Sequence, residues 1–212
     1  MSILNRRGSR ASVQLPGACH AVDDHRYALR RPRLGDFPTW RDARIAHASR
    51  LAPAFGKSGL QWAVDSSAEA WVEAFGRSRA AARSGLALPG IVTELHPDRG
   101  ERVVGEVGIC AVDPVTATGE ISVWSVARPA SVVPWAASAI VLAGFDLLGL
   151  ARVVAPVAVV NRGPLRALGR MDWVRAANRR SLREYEGVPR EHGIWVLENT
   201  PAVRRRLVGL AT

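Results

Sequence analysis

Apolar residues recur along this chain at two spacings, one typical of helices and one of strands. A helix is predicted after Asp36, a residue suited to cap it. A second helix is predicted between the capping box of Ser66 and Glu69 and the helix-ending Gly85. Both helices lie in the first half of the chain, ahead of most of the strand-like segments.

The strand-like segments follow in a regular order. Strands are predicted at residues 27–30, 87–95, 103–112, 120–126, 152–160 and 193–198. A helix that is apolar on nearly all sides is predicted from Pro134 to about residue 148, and a short amphipathic helix at residues 164–171. The central strands form an antiparallel meander, and the buried helix connects two parallel strands. The pattern therefore predicts an α+β fold.

The length of 212 residues suits one domain, predicted at residues 26–198 between tails at residues 1–25 and 199–212. The longest apolar stretch, residues 132–150, is interrupted by polar residues, so no membrane span is predicted. The N-terminal arginines are followed by no apolar signal core. Cys19 and Cys110 lack metal-type spacing, so we expect no metal site and a reduced, cytoplasmic protein without disulfides.

The net charge of +10 is carried almost entirely by arginine, since Lys57 is the only lysine. Such charge favours phosphate-rich partners such as a nucleotide cofactor, the ribosome or RNA. It is equally typical of GC-rich coding, which favours Arg, Ala, Gly and Val. The arginines look scattered and are not interleaved with aromatic residues, which favours the second explanation. The sequence says nothing about oligomeric state.

One segment has the layout of a diphosphate site. The strand at residues 120–126 leads through the loop 128–131 into the buried helix, and the crossover ends at Asn161. A helix start offers free backbone N–H groups and partial positive charge to an anion. Many folds contain such a unit, so the layout alone does not identify a function.

The residues around this unit resemble the ribosomal-protein alanine N-acetyltransferases (RimJ/RimL type) of the GNAT superfamily. That family shows F-x-x-L-G-L-x-R-[IV] and then N-x-x-S-L-R. The corresponding segments here are Phe145-Asp-Leu-Leu-Gly-Leu150 with Arg152-Val153, and Asn161-Arg-Gly-Pro-Leu-Arg166. Looser matches are residues 27–33, Val104-Gly105-Glu106, Val123-Trp124, residues 132–134 and Glu191-His192. The resemblance spans residues 26–198 and implies a mixed, mostly antiparallel sheet with splayed strands flanked by helices.

The resemblance further implies that a primary amine, such as a protein N-terminus, attacks the thioester of acetyl-CoA directly. The pantetheine arm would pair with the strand residues Val123, Trp124, Ser125 and Val126. The diphosphate would lie at the loop and helix start, at Arg128, Ala130, Ser131, Val132, Val133 and Trp135. Asn161 would hold the cofactor arm from the neighbouring strand.

Three positions depart from the family pattern. The cofactor loop has Pro129, Ala130 and Ser131 where the family has glycines, and Pro129 removes an N–H donor. Pro164 replaces the family serine near the thiolate, and Asp172 replaces a glycine. These departures support an alternative: a GNAT-fold binding or interaction module that has lost acetyl-CoA binding.

Acyl transfer to an amine needs a base, and two residues are candidates for proton transfer. Glu120 is the candidate base, because some family members place a carboxylate on this strand; otherwise it is a solvated carboxylate at a strand end. Tyr185 is a candidate acid, or a surface residue of a charged, irregular stretch. His192, which follows Glu191, has two interpretations: a catalytic residue, or a structural histidine capping the last strand. The second is preferred.

Overall fold

The computed structural model describes residues 17–98, 100–185 and 187–212. The strands are β1 Ala18–Val22, β2 His25–Arg30, β3 Leu88–His96, β4 Gly100–Asp113, β5 Thr118–Ser125, β6 Arg152–Ala158, β7 Val174–Tyr185 and β8 Val188–Glu198. The helices are α1 Phe37–Ala46, α2 Ala48–Leu51, α3 Gly59–Val64, α4 Ala68–Arg83, α5 Val132–Leu147, α6 Arg162–Arg170 and α7 Pro201–Ala211. Short 3-10 helices span Leu34–Asp36 and Ala52–Phe55.

The eight strands form one sheet in the order β1-β2-β3-β4-β5-β6-β8-β7. Every neighbouring pair is antiparallel except β5 and β6, which are parallel and joined by the crossover through α5. The predicted α+β fold, with an antiparallel meander and one parallel crossover, is confirmed. The crossover sets the geometry of the candidate site, because it makes β5 and β6 neighbours in the middle of the sheet and starts α5 shortly after the end of β5.

Several elements, including α3, lie where the sequence predicted none. β1 and α7 fall inside the predicted tails, and β7 occupies the stretch interpreted as irregular. Residues 1–16 of the predicted N-terminal tail lie outside the described residues. α7 had a readable start, since the Thr200 hydroxyl accepts a hydrogen bond from the Val203 N–H, and Leu207 is fully buried. β7 shows no apolar alternation, because nearly all of its residues are exposed.

The two faces of the sheet are covered differently. α5 packs on one face with α6 and α7, and its core includes Ile140, Val141 and Leu207, all fully buried. On the other face α1 to α4 enclose a cluster with four tryptophans: Trp40, Trp62, Trp71 and Trp124. The apolar character of α5 on nearly all sides, read from the sequence, therefore corresponds to burial, as expected.

The tryptophan cluster also holds a buried cation. The Arg44 guanidinium lies 3.7 Å from the ring centre of Trp62 and 4.5 Å from that of Trp40. Its Nε donates to the hydroxyl of Ser66. Ser66 is thus a core residue, and the cap of α4 is Ser67, whose hydroxyl accepts from the Ala70 N–H. Burial lowers the pKa of Arg44.

Among the described residues, no helix is both long and apolar enough to cross a membrane.

Candidate functional site

The parallel pairing of β5 with β6 is short. It joins only Thr118 to Arg152, Gly119 to Val153 and Glu120 to Val154. Beyond Glu120, β5 stays paired with β4, and β6 stays paired with β8. The two strands therefore part at Glu120 and leave a gap on the side where α5 begins. We call the parting point the fork.

Pro156 explains why the pairing stops there. The Arg152 N–H donates to the Ala117 carbonyl of the preceding turn, so residues 152, 154 and 156 of β6 turn their backbone groups toward β5. The next hydrogen bond would run from residue 156 to the Ile121 carbonyl. Proline has no N–H to donate, so the ladder ends at Val154.

The backbone of β5 is exposed to the gap at alternate residues. The Val126 N–H donates to the Val104 carbonyl, so even-numbered residues of β5 turn toward β4. Val123 and Ser125 consequently turn their N–H and C=O groups toward the gap. The Ser125 carbonyl accepts a hydrogen bond of 2.8 Å from Nη2 of Arg50, a residue of α2. An extended amide chain in the gap has these backbone groups to pair with.

Five residues predicted to hold the cofactor come together beside the gap. Between β5 and the start of α5 lies a narrow space of about 170 Å³, too thin to hold a water-sized molecule. It is lined by Val92, Glu106, Val107, Val123, Trp124, Ser125, Val132, Val133 and Ala136. Neither Pro129 nor Trp135 lines it. A ligand arm entering here has to widen the space between β5 and α5.

The start of α5 offers few backbone donors. Pro129 and Pro134 have no N–H, and the Val132 N–H already donates to the Pro129 carbonyl. The Trp135 N–H makes the helix's first bond, to the Ser131 carbonyl. An anion at this end therefore has at most the N–H groups of Ala130, Ser131 and Val133, and side chains must supply the rest.

His20 of β1 supplies one such side chain. Its Nε2 lies 3.3 Å from the Ser131 hydroxyl, and its ring stacks on Trp135 with centres 5.2 Å apart. Arg128 and Ala130 lie in the same loop, and both are exposed. Trp135 was predicted at the cofactor, but its side chain is 1% exposed and packs against His20 and the core, away from the gap. Burying the indole removes a large apolar surface from water.

Glu120 stands at the fork and is held by an arginine from β7. Nη1 and Nη2 of Arg183 each donate to one Glu120 carboxylate oxygen at 2.7 Å, and the Glu120 side chain is 15% exposed. These bonds raise the pKa of Arg183. Glu120 is therefore more enclosed than a solvated carboxylate at a strand end. An incoming amine has to share the Glu120 carboxylate with Arg183 or displace Arg183 from it.

Cys110 is the β4 residue paired with Glu120. Burial raises the pKa of its thiol, the nearby Glu120 carboxylate raises it further, and Arg183 opposes both effects. The thiol is consequently kept protonated at neutral pH. Cys110, Glu120 and Arg183 form one electrostatic group at the fork.

A cavity of about 370 Å³ opens beside this group, at the paired end of β5 and β6. Its lining comprises Ala111, Asp113, Thr116, Thr118, Gly119, Glu120, Arg152, Val154 and Val196. The cavity thus lies beside the paired residues of β5 and β6, and the gap lies beyond the point where they part. Glu120 lies between the two. A molecule in the cavity can reach the fork without entering through the gap.

The hairpin of β7 and β8 reaches back across the sheet toward α1 to α4. At its end Glu184 packs against Gly56, where an added Cβ would lie 2.9 Å from the Glu184 Cβ. Gly56 also has φ of +65°, so glycine fits this contact. Tyr185 is half-buried and two residues beyond Arg183 on the same strand, so both side chains face the same way. The stretch predicted as irregular therefore aims a tyrosine toward the side of the fork.

The remaining predicted residues are placed as follows. Asn161 is the first residue before α6 and its side chain does not cap that helix. Val126 follows β5 and is half-buried. His192 is 5% exposed, and its Nδ1 lies 2.9 Å from the Arg190 carbonyl, so this nitrogen is the donor. A buried, hydrogen-bonded ring agrees with the structural role predicted for His192.

No protein-family model and no curated protein matches this sequence. Solved structures do match. RimJ from Mycobacterium smegmatis, in complex with CoA-disulfide, has a TM-score of 0.77 and 24% identity, covering 91% of this chain and 93% of that one. The ribosomal-protein-S5-alanine acetyltransferase from Vibrio fischeri has a TM-score of 0.73 and 14% identity, covering 86% and 97%.

A third match is the microcin C7 self-immunity acetyltransferase MccE in complex with acetyl-CoA and AMP, with a TM-score of 0.71, 16% identity and coverage of 88% and 99%. The chain has the GNAT acetyltransferase fold. The resemblance inferred from sequence is thus confirmed at the level of the fold. At these identities the GNAT fold is what the matches share with this chain.

Sequence reasoning missed four residues of the GNAT-fold site: His20, Arg50, Pro156 and Arg183. Only Pro156 had a readable signal, since proline inside a valine-rich strand indicates a break in pairing. The other three act on residues 63 to 111 positions away in the chain. No local pattern reveals such contacts.

Replacing Pro156 with valine should extend the pairing of β5 and β6. The new N–H is expected to donate to the Ile121 carbonyl, so the amide of residue 156 should exchange slowly with solvent deuterium. Hydrogen exchange followed by NMR measures this directly. Pro189→Val, in the exposed part of β8, is the control and should give a rapidly exchanging amide. Rapid exchange at residue 156 would show that the missing N–H is not what parts the strands.

The rate at which Cys110 is alkylated should depend on the charges of Glu120 and Arg183, because these charges shift the pKa of its thiol. In a Cys19→Ser background, Glu120→Gln should lower the Cys110 pKa, because a nearby negative charge is removed. Arg183→Met should raise it, because the opposing positive charge is removed. The pH dependence of the iodoacetamide reaction rate measures both shifts, and Asp113→Asn should leave it unchanged. Shifts of the same sign in the first two variants would mean that these side chains are not grouped as described.

Proposed function

We propose that this protein is an N-acetyltransferase that moves an acetyl group from acetyl-CoA to a primary amine, such as a protein N-terminus. The observation that carries this proposal is the fork: β5 and β6 part at Glu120 beside the start of α5. The parting leaves the backbone groups of Val123 and the N–H of Ser125 available to the amide groups of a pantetheine arm, while the Ser125 carbonyl accepts from Arg50. Acetyl-CoA supplies an activated acetyl thioester.

In this proposal basic side chains bind the diphosphate, because the loop lacks the glycines whose backbone N–H groups bind it in the family. Arg128 lies in the loop, and His20 lies against the Ser131 hydroxyl. Arg50 donates to Ser125 near the open end of the gap. Arginine pairs with phosphate through two parallel N–H groups, and each charge-assisted bond contributes about 1.5–3 kcal/mol. Two such bonds are enough to offset the donors that Pro129 and Pro134 lack.

The amine reaches the fork from the cavity beside Glu120. Glu120 accepts a proton from the ammonium group, which leaves a neutral nitrogen able to attack. That nitrogen bonds to the acetyl carbonyl carbon and the carbon–sulfur bond breaks. The departing sulfur takes up a proton, and the nitrogen releases its second proton, which restores the proton donor and leaves a neutral amide. Tyr185 is the candidate donor of the proton that the sulfur takes up, since it faces the same way as Arg183. Arg183 holds Glu120 in place until the amine arrives.

The alternative is a GNAT-fold binding or interaction module that has lost acetyl-CoA binding. It is favoured by the narrow space of about 170 Å³ and by the few donors at the start of α5. The absence of the family serine, where this chain has Pro164, points the same way. In this case α5 and β5 stay packed together, and the protein acts through its outer surface.

Calorimetric titration with acetyl-CoA distinguishes the two functions. The wild type is expected to bind in the micromolar range. Pro129→Gly with Ser131→Gly should bind about tenfold tighter or more, because the added donor and the closer backbone approach strengthen binding to phosphate. Pro156→Val should bind more weakly, because the gap becomes shorter. Arg77→Gln, on the distant α4, is the matched control and should bind like the wild type.

An absence of wild-type binding at millimolar acetyl-CoA would refute the transferase proposal. If the double glycine variant alone then bound acetyl-CoA, the interaction-module alternative would be supported. Turnover of any amine by the wild type would eliminate that alternative. The titration therefore has an interpretable result in each case.

The proposed role of Glu120 as the base is tested by measuring the acetylation rate of a Glu120 variant. Glu120→Gln should lower kcat by about 100-fold or more on whichever peptide of an N-terminal panel the wild type acetylates, because the base is removed. Its affinity for acetyl-CoA should stay the same. Glu198→Gln, an exposed carboxylate at the end of β8, is the control. Equal kcat values for Glu120→Gln and wild type would assign the base to another group.

A further inference from the structure

The positive charge of this protein is concentrated in one segment. Residues 162–183 hold seven arginines and a single acidic residue, Asp172, which gives a net charge of +6 out of the +10 of the whole chain. This segment is about a tenth of the sequence. The arginines are therefore not scattered, and a coding bias spread over the whole chain does not explain their distribution.

The arginines of this segment are all exposed, and six have no acidic partner among the described residues. Arg183 is the exception, bound to Glu120. Asp172 is already paired with Arg206 of α7, at 3.5 Å. The remaining six define the arginine patch: Arg162, Arg166, Arg170, Arg175, Arg179 and Arg180. Unpaired like charges on neighbouring elements repel one another, so the patch weakens the folded state unless an anion binds it.

α6 arranges half of the patch in a row. Arg162, Arg166 and Arg170 are four residues apart, so they lie on one side of the helix at steps of about 6 Å. Leu168, from the opposite side of α6, is buried in the core beneath α5. The row thus faces solvent and is held at a fixed orientation by the packed side of the helix.

The other three arginines follow α6 in the chain and lie on β7, the edge strand of the sheet, with Arg175 opposite Trp195 and Arg179 opposite His192. β7 pairs only with β8, and nearly all of its residues are exposed. Arginines on an edge strand also discourage pairing with a second sheet, which would account for Arg175, Arg179 and Arg180. Edge protection does not account for the row on α6, which is a helix. A bound polyanion accounts for the row on α6.

We propose that the arginine patch binds the phosphate backbone of double-stranded RNA. Arginine matches phosphate oxygens with two N–H groups, and successive phosphates provide a row of anions that complements the row on α6. The patch contains no aromatic side chain on which unpaired bases could stack, which disfavours single strands. A-form RNA presents phosphates and 2′-hydroxyl groups across a wide, shallow minor groove, which suits an extended surface. This proposal does not depend on acetyl transfer.

Fluorescence anisotropy with a labelled RNA duplex of about 16 base pairs tests the proposal. The wild type is expected to bind at about 50 mM salt and to lose affinity steeply as salt rises to about 200 mM. The α6 variant Arg162→Gln/Arg166→Gln/Arg170→Gln should bind at least about tenfold more weakly. Its slope of log affinity against log salt should be smaller by about 2 to 3, because each arginine removed leaves one phosphate no longer neutralised.

The matched control removes the same charge elsewhere. Arg77→Gln/Arg79→Gln/Arg83→Gln changes three exposed or partly exposed arginines of α4 and should keep wild-type affinity and slope. Circular dichroism checks that each variant is folded; if the α6 variant unfolds, Arg175→Gln/Arg179→Gln/Arg180→Gln replaces it with the same expected decrease. Equal decreases in the α4 and α6 variants, or no wild-type binding at the lowest salt, would overturn the proposal.

The nature of the polyanion is tested with the same assay. Duplex DNA of the same sequence, single-stranded RNA and polyglutamate should each bind more weakly than duplex RNA. Equally tight binding of DNA or single-stranded RNA would overturn the assignment to double-stranded RNA. Equally tight binding of polyglutamate would overturn it too and would assign the patch to an acidic protein. Acetyl-CoA affinity should be the same in the α6 variant and the wild type, which separates this result from the outcome for the transferase.

Discussion

The site depends on one hydrogen bond that cannot form. Pro156 turns its nitrogen toward β5 but has no N–H, so the β5–β6 ladder stops at Val154 and the strands part. A buried parallel sheet otherwise pairs its backbone groups completely. The parting exposes two residues of β5 to the gap and leaves Glu120 at the fork. The slot for an amide chain and the location of the carboxylate thus follow from the same residue.

The gap and the cavity, on the two sides of the fork, differ in shape and charge, and each suits a different ligand. On the side of the gap, the space between β5 and α5 is narrow and apolar, the start of α5 offers few backbone donors, and Arg50, Arg128 and His20 supply basic side chains. The other side opens into a cavity of about 370 Å³ with Glu120 in its wall. A phosphate-bearing chain suits the first side, and an amine suits the second. The proposed transfer places the reacting atoms between them.

Much of this arrangement is readable from sequence, because it is encoded locally. The buried α5, the meander of β3 to β5 and the valine-rich β6 follow from apolar spacing, and the motif around Asn161 indicated the fold. The prediction of secondary structure failed where local signals were absent. β7 has almost no buried residue. Apolar spacing cannot reveal a strand whose only partner is another strand at the sheet's edge.

The sequence by itself determined α1, α4, α5, α6, the crossover and the loop without glycines, since each depends on residues close together in the chain. Only the tertiary structure decided that Arg183 binds Glu120, that His20 reaches Ser131, and that Arg50 reaches the Ser125 carbonyl. The reason is physical. Side chains distant in sequence meet only after the sheet has ordered its strands, and their ion pairs and hydrogen bonds have no periodic pattern to predict them.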